Sequence, residues 1–77
     1  MSSRLPALKA RDILKALEKA GFVVVRSKGS HRICEHVQDP SRRTVIPDHG
    51  PRDLPRGTVR SIIEQAGLSV EEFLDLL

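Results

Sequence analysis

With 77 residues the chain is too short for two domains and sits close to the smallest core that folds without disulfides or metal. Its one cysteine, Cys34, closes no intrachain disulfide, which points to a reducing, cytoplasmic setting; no run approaches the roughly 20 apolar residues of a membrane span, and the amino terminus lacks an apolar secretory segment. The net charge of +3 and pI near 9.6 understate a polarity, because residues 1–60 hold all thirteen Lys and Arg against six acids, net +7, whereas residues 61–77 hold four acids and no Lys or Arg; polyanions are drawn to the part of the chain before residue 61.

Residues 1–8 read as a loose leader. A first helix begins near Lys9 or Ala10, with Ile13, Leu14, Leu17 and Ala20 as its apolar stripe. Gly21 suits its C-cap, and Phe22 folds back on the helix end. The segment from Phe22 to Ser27, with Val23, Val24 and Val25, has strand composition. A reversal at Lys28 and Gly29 leads into an antiparallel strand from Ser30 to Val37. Turn formers occupy 38–41, and a third strand from Arg43 to Ile46 stops at Pro47. A loop with Gly50, Pro51 and Pro55 follows, carrying His49 near its start.

The second main helix is expected from about Leu54, with Asp53 as N-cap and Pro55 in the first turn. Its buried stripe is Val59, Ile62, Ile63 and Ala66, and Gly67 closes it. Ser69 and Glu72 form a capping box, stapled by Leu68 and Phe73, for a short helix to Leu77. The predicted fold class is therefore α+β, a single domain over 1–77. Its order is helix, three-stranded antiparallel sheet, helix and short C-terminal helix, with the helices on one face of the sheet and the other face open.

The chemistry gathers at Ser27–Arg32. Gly29 permits the positive φ of a tight reversal, and the hairpin then presents His31, whose imidazole exchanges protons near neutral pH. Arg26, Lys28 and Arg32 supply charge for a phosphate; Ser30 belongs to the turn rather than to a nucleophilic pair with His31, since adjacent strand residues point apart. His31, Cys34, His36 and His49 are metal-ligand types, but their spacing fits no zinc pattern, and 31 and 36 face opposite ways on a regular strand, so neither metal nor cofactor is expected. No glycine-rich phosphate loop supports NTP hydrolysis. Without Trp or Tyr, and with Phe22 and Phe73 committed to packing, the chain lacks a base-stacking platform; RNA would be held through phosphates, 2′-hydroxyls and arginine planes.

Several stretches together resemble the HicA toxins, small mRNA interferases encoded beside a HicB antitoxin. They are Ala20-Gly21-Phe22, Gly29-Ser30-His31, Val45 to His49, Gly57 to Ile63, and Ala66 to Phe73. The family often has an aromatic residue near position 34, where this chain has Cys34. The resemblance implies a fold like a double-stranded-RNA-binding domain and the role of a type II toxin. It also implies metal-independent cleavage of mRNA with His31 as catalytic residue, and inhibition by a HicB-like antitoxin that covers the site. The RNA-binding set is then Arg26, Lys28, Gly29, Ser30 and Arg32, with His49 as a possible second proton carrier. A non-catalytic RNA-binding module and a pure protein-interaction domain are the alternatives.

Overall fold

The structure, a computed structural model, describes residues 5–77. In chain order it contains α1 (Ala10–Lys19), β1 (Phe22–Lys28), β2 (His31–His36), β3 (Arg43–Pro47), α2 (Arg56–Gln65) and α3 (Val70–Asp75). The strands form an antiparallel sheet in the order β1-β2-β3. With α1 against β1 and β3 and α2 against β3, this is the α+β arrangement of a double-stranded-RNA-binding-like fold.

The core lies between the helices and one sheet face. Ile13 and Leu17 from α1, Val59, Ile62 and Ile63 from α2, and Phe73 from α3 meet Phe22, Cys34, Thr44 and Ile46 of the sheet, all buried. Ser69 caps α3 as the sequence predicts, its hydroxyl accepting Glu72 N–H at 3.0 Å while the Glu72 carboxylate accepts Ser69 N–H at 2.8 Å. The end of α2 is fastened to the start of β3. Arg42 Nε donates to Ala66 O at 2.8 Å with its guanidinium over the Phe22 ring, and Thr44 Oγ1 donates to Gln65 at 2.8 Å. A cation on the last carbonyls of a helix also complements its dipole.

Several boundaries differ from those the sequence predicts. Residues 5–8 are no loose leader: Leu5 and Leu8 join the core, Leu54 N–H donates to Leu8 O at 2.8 Å, and Arg56 Nε reaches Leu5 O at 3.1 Å. Residues 1–4 of that leader lie outside the described residues. The same pairing removes Asp53 from the N-cap role. Asp53 forms an antiparallel bridge with Lys9, so 53 and 54 are extended and α2 begins only at Arg56, with Pro55 at the cap. The hairpin turns at Gly29 and Ser30 rather than at Lys28 and Gly29, because Lys28 pairs with His31. Gly29 has φ +59 while Ser30 does not enter positive φ, as a two-residue turn with glycine first requires. β2 is accordingly shorter, His31–His36 rather than Ser30 to Val37.

β3 runs through Pro47, which pairs with His31. Backbone bonds from Asp48 N–H to Ser30 O (2.6 Å) and from His36 N–H to Arg42 O (3.0 Å) bracket this ladder, which makes the even positions of β2 the hydrogen-bonded ones. Pro47 stands at a non-hydrogen-bonded position and sacrifices no ladder bond.

Candidate functional site

Cross-strand register decides which side chains share a face. His31 pairs with Lys28 on one side and Pro47 on the other, Ile33 with Arg26 and Val45, and Glu35 with Val23 and Arg43. These residues form the sheet face turned away from the helices, where His31, Arg26, Lys28, Val23 and Val45 are exposed. Arg32, Cys34 and His36 stand on the opposite, helix-covered face, opposite Ile46, Thr44 and Phe22. His31 and His36 thus point apart, as strand alternation predicts.

Arg26 and Lys28 reach the face of His31 through an irregularity. Simple alternation from buried Phe22 would carry Val24, Arg26 and Lys28 to the helix side. Between the pairs Val24–Cys34 and Arg26–Ile33 the strand holds one extra residue, Val25, and this bulge reverses the phase. The bulge lies on an edge strand, where it also blunts pairing with other chains.

The five hairpin residues chosen from the sequence are therefore not equivalent. Arg26 and Lys28 flank His31 on the open face, and Gly29 and Ser30 form the turn beside it. Arg32 is turned to the other side, where its guanidinium donates to Gly29 O at 2.8 Å and lies 3.5 Å from the Asp48 carboxylate. The second oxygen of that carboxylate accepts Gly50 N–H at 3.1 Å. Asp48 is a residue the sequence reading passed over; the signal was the spacing Asp48-His49-Gly50, in which an Asx turn is a natural expectation. Together with the Asp48–Ser30 backbone bond, this clamp ties the loop carrying exposed His49 to the turn carrying His31.

The other ring and thiol groups have structural partners. His36 Nε2 lies 3.0 Å from Ala20 O and its Nδ1 accepts Gln38 N–H at 3.1 Å, which assigns the ring proton to Nε2. The ring also meets Phe22 edge-on at 5.2 Å. Cys34 is buried, and its desolvation raises the thiol pKa, which disfavours the reactive thiolate. Among the described residues no three His, Cys, Asp or Glu side chains converge as metal ligands, and no helix is long and apolar enough to cross a membrane. An apolar groove of about 360 Å³ lies between α1 and β1, walled by Leu14, Leu17, Phe22 and Val24. His31 is not part of it.

A comparison with curated proteins finds no match. The family model described as the HicA toxin of bacterial toxin-antitoxin systems matches residues 10–68, from the first residue of α1 through the hairpin and the His49 loop to just beyond α2. That span covers most of the chain, and the chain belongs to the HicA toxin family.

Proposed function

We propose that this toxin is a metal-independent endoribonuclease that cleaves mRNA, with His31 as its catalytic residue and a HicB-like antitoxin as its inhibitor. The observation that carries the reading is the placement of His31, Arg26 and Lys28 on one exposed sheet face. Such a face accepts a flexible polyanion without a preformed pocket, and its cations suit the charge that builds on phosphorus in phosphoryl transfer. The nucleophile is the substrate's own 2′-hydroxyl. His31 takes its proton as O2′ bonds to phosphorus and the P–O5′ bond breaks, leaving a 2′,3′-cyclic phosphate and a 5′-hydroxyl end. One imidazole contributes about 10²- to 10⁴-fold in this way.

Family membership supports an antitoxin partner. The open face supports the mode of inhibition, since a protein seated over Val23, Ile33 and Val45 would also cover His31. Synthesis and action in the cytoplasm agree with this substrate.

The test is cleavage of a structured mRNA fragment by the purified chain in EDTA, with and without His31→Ala. Because His31 is exposed, alanine should leave stability within about 0.5 kcal/mol while abolishing cleavage. Binding of RNA without cleavage by the unsubstituted chain would establish the non-catalytic RNA-binding module instead.

A further inference from the structure

Cleavage through a 2′-hydroxyl needs two proton movements, one from O2′ and one to the departing O5′, and a single histidine leaves the second to solvent. The β2–β3 ladder continues past its last strand residue. Pro47 lies opposite His31 on the open face, and Asp48 lies opposite Ser30, bonded to it through the backbone, with its side chain on the other face beside Arg32. The ladder thus extends to residue 48, and exposed His49 follows it directly, within the Asx turn closed by Gly50 N–H. His31 and His49 are each one residue from the bonded Asp48–Ser30 pair, a separation on the order of the 7–8 Å between diagonal neighbours in a sheet, which admits a phosphodiester between two imidazoles. Gly29 has no side chain to fill the gap, and nothing lies within 4 Å of where its Cβ would be.

We propose that His49 is the second catalytic histidine, donating the proton to the leaving 5′-oxygen while His31 accepts the 2′-proton, and that the Arg32–Asp48 clamp positions it. The inference rests on the endoribonuclease reading above. The proton balance closes: O2′–H gives its proton to neutral His31, imidazolium His49 gives one to O5′, the O2′–P bond forms and the P–O5′ bond breaks. Arg32, turned away from the open face, acts through Asp48 and is a positioning residue. This accounts for a guanidinium held by two acceptors within the turn and the loop rather than free for substrate.

The experiment takes the full chain and a short RNA whose cleaved linkage is mapped with the unsubstituted protein. That RNA is prepared with either the natural 5′-oxygen or a bridging sulfur at the linkage. A thiolate leaves without needing a proton, since thiols ionise near pKa about 8.5. His49→Ala and His49→Gln should slow the oxygen linkage by about 10²- to 10⁴-fold and the sulfur linkage by less than about tenfold. Arg32→Gln should show the same selectivity with a smaller loss, and His31→Ala should slow both linkages. Thermal midpoints equal to that of the unsubstituted chain identify the loss as catalytic. Equal slowing of both linkages by the His49 variants, or slowing of neither, would overturn the inference and leave the His31 assignment intact. An unsubstituted chain inert toward both RNAs would overturn the endoribonuclease reading, and this inference with it.

Discussion

Two glycines with positive φ, Gly21 and Gly29, allow backbone strain and side-chain collision to be separated. Gly29 has φ +59, as the first position of its turn requires, and a Cβ there meets nothing within 4 Å. Alanine should cost about 1–3 kcal/mol in backbone strain, offset by about 0.4–1 kcal/mol from the lowered entropy of the unfolded chain. The net loss is then about 0–2.5 kcal/mol. Gly21 has φ +98, and its Cβ would stand 2.9 Å from His36 Nε2. The imidazole must move, which forfeits its bonds to Ala20 O and Gln38 N–H at about 0.5–1.5 kcal/mol each. With backbone strain of about 1–3 kcal/mol and the same entropic offset, Gly21→Ala should cost about 1–5.5 kcal/mol, about 1–3 kcal/mol more than Gly29→Ala. In a domain of this size the excess alone lowers the thermal midpoint by about 4 °C or more. Urea unfolding of both variants, read as midpoints at constant m-value, measures the difference. Equal losses would show that His36 does not pack against Gly21 as described, and refute the reasoning.

The Cys34 thiol, raised above its ordinary 9.0 by burial, holds its proton more tightly in the folded than in the unfolded chain. Its contribution is therefore intact below about pH 9 and lost as pH rises through the folded pKa, so urea midpoints should fall in that alkaline window and fall less steeply in Cys34→Ala. Replacing Arg26 and Lys28 together by alanine should flatten the salt dependence of RNA binding by about 1.4 in slope, at about 0.7 per lost phosphate contact on a single strand. Arg32→Ala should change that slope little, because its guanidinium is engaged with Gly29 and Asp48 on the other face; a slope change as large as that of the pair would place Arg32 on the RNA path.

The sequence by itself determined the element order, the buried stripe of α2, Ile13 and Leu17 as the buried centre of α1, the α3 capping box and the glycine turn that presents His31, because each is a local matter of apolar period, capping chemistry or backbone freedom. It also determined that His31 and His36 part company, since β2 alternates regularly about buried Cys34. The ends of elements were decided at longer range. Asp53 carries every local mark of an N-cap, yet Lys9, 44 positions earlier, pairs with it and keeps it extended. The composition of the candidate site depended on tertiary structure most of all. Val23, Val24 and Val25 are three apolar residues in a row and carry no period-2 signal, so nothing local states where the strand changes phase. Register against β2 inserts Val25 as a bulge and carries Arg26 and Lys28 to the face of His31. The ladder to β3 turns Arg32 away from them and brings the His49 loop to the hairpin, for a strand's faces are fixed only by the partner to which it is bonded.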